Sequence, residues 1–216
     1  MAELIVFDLD GTLIDSNGVW VDVDKTFLAR RNAPYTREYY EGVAHTIFPL
    51  AAVFTKEFCH LEESCEEIMA EWMELAGDMY ATAVTVKAGV REYLEQCRQR
   101  GERMMVLTSS VPQHCRTALT HLGLMPYFER IVFAQELGLE KKNPDCFRRA
   151  AELAGVAAEE CVMYDDSLTA CRGAKAAGMQ VVGVYDDYFD MTWDEMQGFC
   201  DRSIRSFEEL LERERS

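Results

Sequence analysis

Two aspartates stand two residues apart near the start of the chain, directly after a short apolar run. Residues 4–7 read Leu-Ile-Val-Phe, and Asp8-Leu9-Asp10-Gly11-Thr12 follows. Side chains at i and i+2 of an extended strand point the same way, and where the strand ends between them the second carboxylate can swing over the first. One carboxylate can then attack an electrophile such as phosphorus while the other handles protons. Because buried carboxylates are costly unless a cation pairs them, the pattern favours a reactive site over an Asx-rich turn.

A second acidic pair, Asp165 and Asp166, follows another apolar run at 161–164. If both pairs reach the same place, their like charges need compensation. A hard divalent cation with oxygen ligands is the natural one, and Mg²⁺ suits a phosphate-bearing substrate. The simpler interpretation is a helix N-cap, because Asp166-Ser167 would start the following helix well. A carboxylate can serve as both cap and ligand.

Hydroxyl and ammonium groups at two further positions complete a possible phosphate site. Thr108 can donate its hydroxyl to a phosphate oxygen, and the N–H groups of Ser109 and Ser110 can add an anion cradle at a helix start. Thr-Ser-Ser is also an ordinary helix cap. Lys141 or Lys142 would supply a fixed positive charge against a phosphoryl group, although a surface lysine pair is usually only solvated. Both signals gain weight beside the acidic pairs.

Short apolar runs alternate with segments of helical period, which predicts βα units around a parallel sheet. The predicted strands lie at 4–7, 104–107, 131–133, 161–164 and 181–184. The predicted helices lie at 90–100, 111–122, 144–154 and 168–177, each stopping on Gly, and a capped closing helix begins at 206. Ligands of such sheets bind at the carboxyl ends of the strands. The acidic, hydroxyl and lysine side chains described above are therefore expected to converge on one edge.

Residues 17–84 break this rhythm, because their aromatic residues recur at helical spacing and no strand pattern is evident. We interpret the segment as an α-helical insertion that packs as a cap, with the aromatic side chains as its core. The predicted fold is α/β, a Rossmann-like parallel sheet core with helices on both faces and an inserted α-helical cap. The core would comprise 1–16 and 85–216, and the cap 17–84.

Composition limits the partners. The net charge is −16, with 49% hydrophobic and 28% charged residues. A field of this sign repels nucleic acid and anionic membrane surfaces, and no apolar run approaches the roughly 18 residues that span a membrane. The eight cysteines show no zinc spacing and are expected to be unpaired, mostly buried thiols of a reducing compartment. With no signal-peptide pattern, the expectation is a cytoplasmic monomer or weak dimer.

Two other groups of residues are expected to be exposed. His114 and His121 lie seven residues apart on a predicted helix, without a metal-ligand pattern, and are expected at its surface. The acidic and aromatic segment 186–190 follows the fifth predicted strand and is expected to be a solvated loop. A place at the border of the site is the alternative for this segment.

Four stretches resemble motifs of the haloacid dehalogenase-like (HAD) hydrolase superfamily. Residues 7–13 (Phe-Asp-Leu-Asp-Gly-Thr-Leu) look like its first motif and 106–108 (Val-Leu-Thr) like its second. Residues 141–147 are similar to its Lys-Pro-x-Pro-acidic-x-Phe stretch, with Lys142 where the family has Pro. Residues 164–167 (Tyr-Asp-Asp-Ser) and the helix after them are similar to the fourth. The resemblance spans about residues 3–211, is weakest across the insertion, and points to the phosphatase or β-phosphoglucomutase-like branch with a helical C1 cap.

The resemblance implies a role for each matching residue. Asp8 would be the nucleophile and Asp10 the general acid and base. Lys141 would be the catalytic lysine, and Thr108 would join it in the catalytic set. Thr108, Ser109 and Lys141 would bind the phosphoryl group of the substrate.

It also implies a Mg²⁺ site. Asp8 would bind the metal through its side chain, Asp10 through its backbone carbonyl, and Asp166, with Asp165 beside it, would complete the site. Many relatives have a further Asp where Ala170 stands here, so the metal assignment rests on Asp165 and Asp166.

The function implied is Mg²⁺-dependent hydrolysis of a small phosphorylated metabolite, a phosphate monoester, through an aspartyl-phosphate intermediate. Asp10 separates phosphate chemistry from the dehalogenases of the superfamily, which lack a carboxylate there. One alternative is a β-phosphoglucomutase-like phosphomutase, which would need cap cations to hold a second phosphate; the candidates are Lys25, Arg30, Arg31, Arg37, His45 and Lys56. Another is a catalytically silent binding protein on the same fold.

Overall fold

The computed structural model describes residues 2–43 and 48–213, which form two compact units. The core unit consists of the chain up to Asn17 and from Val84 onward, and the helical unit is Gly18–Ala83. Within the residues described, no helix combines the length and the apolar character that crossing a membrane requires.

The elements follow one another as the alternation of apolar runs and helical segments predicts. Along the chain they are β1 (Leu4–Phe7), β2 (Ile14–Asp15), α1 (Val19–Arg30), α2 (Arg37–Val43), α3 (Phe48–Cys59), α4 (Cys65–Thr82), β3 (Thr85–Val86), α5 (Val90–Gln99), β4 (Arg103–Thr108), α6 (Pro112–His121), β5 (Arg130–Phe133), α7 (Pro144–Leu153), β6 (Cys161–Asp165), α8 (Leu168–Ala177), β7 (Gln180–Val184), α9 (Trp193–Phe199), β8 (Arg202–Ile204) and α10 (Glu208–Arg213).

Six parallel strands form the sheet of the core unit, in the order β5-β4-β1-β6-β7-β8. The predicted α/β fold is confirmed, and all five predicted strands are present. The sixth, β8, was not predicted, because it is only three residues long and begins on a charged residue, Arg202. Such a short edge strand has no periodic signal to detect.

Side chains pack on both faces of the sheet, because successive residues of β1 point to opposite faces. Leu4 and Val6 join a core cluster that includes Phe147 of α7 and Ala174 of α8. Phe7 points to the opposite face, where its ring stacks on Tyr164 at 5.1 Å and lies against Tyr93 of α5 and Phe207. Asp8 follows Leu4 and Val6 by the same two-residue step.

All eight cysteines are free thiols, and five of them are buried.

A short antiparallel ribbon joins the two places where the chain leaves and re-enters the core unit. Ile14 of β2 pairs with Val86 of β3, and Asp15 pairs with Thr85. The backbone N–H of Lys87 continues the pairing by donating to the carbonyl of Leu13 at 3.1 Å. Two residues on each side are too few for a sequence pattern, so the ribbon was not predicted.

The helical unit has its own core, built from the aromatic side chains that the sequence places at helical spacing. Tyr39 is fully buried, and its ring lies 5.4 Å from that of Phe58 and 6.1 Å from that of Phe54. Helix α4 begins with a capping box, in which Ser64 and Glu67 exchange side-chain and backbone hydrogen bonds. The role of this unit as a cap stays a prediction.

Several cations of the helical unit are engaged within it. Arg31 pairs with Glu63 and Glu71, Arg30 pairs with Glu71, and Lys56 donates to the carbonyl of Glu63. These three were among the candidates for holding a second phosphate. Lys25 pairs with Asp22 on an exposed face, and Arg37 also has an interaction. His45 lies outside the described residues.

Asp24 contributes a half-buried carboxyl group beside Tyr39. The Tyr39 hydroxyl lies 3.2 Å from Oδ1 of Asp24 and 2.9 Å from the Thr55 hydroxyl. Burial raises the pKa of the Asp24 carboxyl from 3.8 to about 6, against the effect of the Tyr39 hydrogen bond. Since the folded-state pKa lies above the unfolded one, the contribution of this group to stability is complete below the unfolded pKa and is lost as pH rises through the folded pKa.

We therefore expect Asp24→Asn to raise the midpoint of thermal unfolding at pH 7.5 relative to the wild type, because the amide needs no proton to stay neutral. The gain should disappear at pH 4. Circular dichroism at both pH values measures it. Asp22→Asn, at an exposed position of the same helix, is the matched control, and an equal gain there would contradict the explanation.

Candidate active site

Three carboxylates and one ammonium meet where the strands of the core unit end. Asp8, Asp165 and Asp166 are all buried, and each offers an oxygen within 4.8 Å of the others. The Nζ atom of Lys141 lies 2.5 Å from Oδ1 of Asp8 and 2.6 Å from Oδ2 of Asp165. The predicted convergence of the first, third and fourth motifs is therefore present in the structure.

The sheet brings the two acidic pairs together. Strands β1 and β6 are neighbours, and Phe7 is in register with Tyr164. Asp8 and Asp165 therefore leave adjacent strands at the same level, and the backbone N–H of Asp8 still donates to the carbonyl of Tyr164 at 2.9 Å.

Lys141 reaches this edge from the segment before α7. This segment packs closely on α8. A Cβ atom at Gly173 would lie 2.3 Å from the carbonyl oxygen of Lys141, so a glycine is needed at that point of α8. The neighbouring Lys142 is exposed and pairs with Glu140. Of the two lysines that the sequence leaves open, Lys141 is the one beside Asp8.

Excess negative charge is the main electrostatic property of the cluster. Burial raises the pKa of Asp8 well above its ordinary value; Lys141 opposes this, and Asp165 and Asp166 add to it. Burial, followed by the charge of Asp165, raises the pKa of Asp166 to about 7. Burial alone would lower the pKa of Lys141, but Asp165 and Asp8 outweigh it and raise it. One ammonium cannot balance three buried carboxylates, and this oxygen donor set fits a hard divalent cation.

Asp166 is held by neutral donors from the loop after β1. The Thr12 hydroxyl lies 3.2 Å from Oδ1 of Asp166, and Nδ2 of Asn17 lies 2.8 Å from Oδ2. Gly11 makes this approach possible: its φ is +77°, and a Cβ atom there would lie 2.1 Å from both Nδ2 of Asn17 and Oδ2 of Asp166. Hydroxyl and amide donors fix the carboxylate without neutralising its charge.

Asp10 lies apart from the three-carboxylate group but lines the same cleft. The Ser16 hydroxyl donates to Oδ1 of Asp10 at 2.6 Å, and Ser16 is buried. The cleft in the core unit has a volume of about 230 Å³, and Thr108, Ser109 and Phe189 also contribute to its walls.

A family model described as haloacid dehalogenase-like hydrolase matches residues 5–184 of the 216-residue chain. The matched stretch contains all four motifs. The chain belongs to the haloacid dehalogenase-like hydrolase family. It is a hydrolase of the HAD type, as the motif resemblance implies.

Relatives of this HAD-like hydrolase are phosphatases by name. A phosphoglycolate phosphatase of Nitrosococcus oceani is 27% identical over 83% of this chain and 82% of its own length. The pyrophosphatase PpaX of Halalkalibacterium halodurans is 27% identical over 96% of this chain and 94% of its own length. The solved structure of CbbY from Rhodobacter sphaeroides in complex with phosphate superposes with a TM-score of 0.77 at 23% identity, covering 97% of this chain and 96% of that one.

One of the two backbone N–H groups predicted to form a phosphate cradle in the HAD-like site is already used within the protein. The backbone N–H of Ser110 donates to Oγ1 of Thr108 at 2.9 Å, a local turn that threonine side chains commonly form. Helix α6 begins only at Pro112, so Ser109 and Ser110 precede it. Thr108 itself is buried at the end of β4. Its hydroxyl accepts from Ser110 and can still donate its own O–H. The Ser110 N–H is thus engaged with Thr108 in this structure, and its part in a phosphate cradle stays a prediction.

Two predicted exposures are wrong. His114 is buried with an exposed fraction of 3%, because it shares the buried face of α6 with Cys115, Ala118 and Leu119. His121 is exposed, as predicted. In the segment 186–190, Asp187, Tyr188 and Asp190 are exposed as expected, and Phe189 lines the cleft, which agrees with the alternative placement. Asp186 is the buried exception, and its carboxylate accepts from the backbone N–H of Tyr188.

Three residues near the HAD-like site were not identified as site residues from the sequence. Thr12 and Asn17 contact Asp166. Lys87, which follows the insertion in the sequence, donates to the carbonyl of Gly11. No motif marks Asn17 or Lys87. Hydrogen bonds from Lys87 and Asn17 lower the pKa of Asp186 below its ordinary value, although burial alone would raise it.

We expect Gly11→Ala to destabilise the protein more than Gly101→Ala does. Both glycines have positive φ, but a Cβ atom at Gly101 would meet nothing within 4 Å. Gly101→Ala should therefore show only the backbone strain, about 1–2 kcal/mol, whereas Gly11→Ala must also displace Asn17 and Asp166. Urea denaturation of both variants measures the difference, and equal losses would show that the approach at Gly11 is not constrained.

Proposed function

We propose that this HAD-like hydrolase is a Mg²⁺-dependent phosphatase that hydrolyses the phosphate monoester of a small metabolite through an aspartyl-phosphate on Asp8. The observation that supports this most directly is the pairing of Asp8 with Lys141 beside two further buried carboxylates. The names of the relatives, which act on phosphoglycolate and other phosphorylated compounds, support the substrate class.

The metal would be held by Asp8, Asp166 and the backbone carbonyl of Asp10, with Asp165 beside them. The fit rests on the excess of carboxyl groups over cations in the cluster and on the neutral donors of Asp166, which supply no positive charge. When bound, Mg²⁺ would offset the negative charge that the carboxylates and the phosphoryl oxygens bring together.

In the first half of the proposed reaction, a carboxylate oxygen of Asp8 attacks phosphorus and forms an acyl-phosphate bond. The bond between phosphorus and the ester oxygen breaks, and Asp10 gives its proton to that leaving oxygen. Lys141, on Oδ1 of Asp8, orients the nucleophile and stabilises negative charge on the phosphoryl group. Thr108, which lines the cleft, would donate its hydroxyl to a phosphoryl oxygen.

In the second half, water attacks the phosphorus of the aspartyl-phosphate. Asp10, now ionised, takes the proton of that water, and inorganic phosphate leaves with Asp8 regenerated. Asp10 is therefore needed twice, once as acid and once as base. The Ser16 hydroxyl, which donates to Oδ1 of Asp10, would orient this side chain for both steps.

Asp8→Asn should reduce Mg²⁺-dependent hydrolysis of p-nitrophenyl phosphate by about 10⁴-fold or more, as loss of a catalytic nucleophile does elsewhere. Its thermal midpoint should equal or exceed that of the wild type, because one like charge leaves a buried acidic cluster. Asp194→Asn, at an exposed position of α9, is the control and should keep wild-type turnover. Wild-type turnover in Asp8→Asn would show that Asp8 is not the nucleophile.

Asp10→Asn should separate the two halves of the reaction. With p-nitrophenyl phosphate the leaving group needs little acid assistance, so the phosphoenzyme should still form, whereas its hydrolysis lacks a base. We expect a burst of p-nitrophenolate and a phosphate on Asp8 that survives an acid quench and is released by hydroxylamine, as seen by mass spectrometry. A phosphate found on another residue would contradict the proposed intermediate.

A panel of phosphate monoesters with purified protein and Mg²⁺ identifies the substrate. Mg²⁺-dependent release of inorganic phosphate from a small ester supports the proposal. Interconversion of sugar phosphates that depends on a bisphosphate activator would replace it with the phosphomutase. No turnover across the panel, with Mg²⁺ bound, would replace it with the catalytically silent binding protein.

A further inference from the structure

Lys87 forms a complete set of hydrogen bonds beside the proposed metal site. Its Nζ atom donates to the carbonyl of Gly11 at 2.6 Å, to the carbonyl of Tyr185 at 2.8 Å and to Oδ2 of Asp186 at 2.8 Å. An ammonium has three N–H donors, so all of them have partners. The Lys87 and Asp186 side chains are only 17% and 9% exposed. This ion pair therefore joins the turn after β1 to the end of β7.

Asn17 continues the connection to the acidic cluster. Its Nδ2 atom donates to Oδ2 of Asp166 at 2.8 Å and to Oδ1 of Asp186 at 3.1 Å. Both N–H groups of the amide are therefore used on carboxylates, which fixes the orientation of the Asn17 side chain. Asp186 accepts from Lys87, Asn17 and the backbone of Tyr188, so its carboxylate is fixed as well.

We infer that Lys87, Asp186 and Asn17, here named the Lys87 bridge, are positioning residues for the metal site of this enzyme. The bridge holds the Asp166 carboxylate in the geometry that binds Mg²⁺, and it fixes the turn whose preceding residue, Asp10, supplies a backbone carbonyl. This inference rests on the proposed Mg²⁺ site, and it goes further by assigning a role to residues outside the four motifs.

The reason lies in what each member of the bridge would do alone. Without Lys87, the buried carboxylate of Asp186 loses its cation and is left close to Asp166 with only neutral donors. It would then rotate toward water or draw the Asn17 amide with it. The first movement would leave the Asn17 amide held by Asp166 alone and less fixed in orientation, and the second would pull it away from Oδ2 of Asp166. The Gly11 carbonyl would also lose its partner, which frees the turn after Asp10.

The sign of the effect separates positioning from simple electrostatics. Lys87 is a positive charge near a cation site, so if it acted only through its charge, its removal would strengthen Mg²⁺ binding. If it acts by holding Asp166 and the Gly11 turn, its removal weakens Mg²⁺ binding. Mutation of residues that orient metal ligands typically costs about 10- to 100-fold in metal affinity.

The test is isothermal titration of Mg²⁺ into the full-length protein without substrate. Lys87→Met, which keeps an unbranched side chain and removes the ammonium, should bind Mg²⁺ about 10- to 100-fold more weakly than the wild type. Lys175→Met is the matched control, because Lys175 also bridges a carbonyl and a carboxylate of the core unit, those of Phe199 and Asp201. It should bind Mg²⁺ with wild-type affinity.

Asn17→Ala is the second variant, and it keeps the inference testable if Lys87→Met does not fold. It removes the amide from a half-buried position and should also weaken Mg²⁺ binding. The double variant Lys87→Met/Asp186→Asn should bind Mg²⁺ more tightly than Lys87→Met, because the unpaired carboxylate is gone. The activity of each variant, taken as a fraction of the wild-type activity, should be higher at saturating Mg²⁺ than at limiting Mg²⁺.

Three results would overturn the inference. They are Mg²⁺ affinity of Lys87→Met and Asn17→Ala within twofold of the wild type, tighter binding by Lys87→Met, or a loss in Lys175→Met as large as that in Lys87→Met. If the wild type binds Mg²⁺ and the variants match it, only the positioning role fails. If the wild type binds no Mg²⁺, the proposed metal site fails, and this inference fails with it.

Discussion

The structure of the site depends on one imbalance, three buried carboxylates against a single buried ammonium. A carboxylate in such surroundings either takes up a proton or needs a cation. Lys141 is shared between Asp8 and Asp165, which accounts for only part of the charge. Asp166 receives only neutral donors, from Thr12 and Asn17, and these bring no positive charge to the cluster. The cluster therefore favours a bound proton or a bound cation, and a divalent cation would compensate more of its charge than a proton does.

Close backbone approaches make this concentration of side chains possible. Gly11 leaves room for Asn17 and Asp166, and Gly173 lets α8 pack on the carbonyl of Lys141. The register of β1 with β6 sets the level of the acidic residues. Strand register positions the carboxylates along the strand direction, and the two glycines allow the loops and helices to reach them.

The sequence was a good guide where a residue repeats a pattern or stands in a motif. The parallel sheet followed from apolar runs and helical periods, and the grouping of Asp8, Lys141, Asp165 and Asp166 followed from strand ends sharing one edge. The sequence was a poor guide to contacts between distant residues that stand in no motif or periodic pattern. Asn17 and Lys87 are separated by the whole insertion, and nothing in their neighbours marks them. His114 shows the opposite error, since a polar residue on an apolar helix face was assigned to water although the helix buries that face.

The ribbon of β2 and β3 has a consequence for how this fold can vary. It pairs the strand before the insertion with the strand after it, Ile14 with Val86. The two ends of the insertion are therefore held next to each other by the core unit. Loop-closure entropy rises only slowly with the length of the connected segment. Segments of very different length and shape can therefore be carried on the same ribbon with little effect on the sheet. Exchange of residues 18–83 between relatives would leave Asn17 on one side and Lys87 on the other, so the residues of the proposed metal site would stay with the core while the inserted segment diversified.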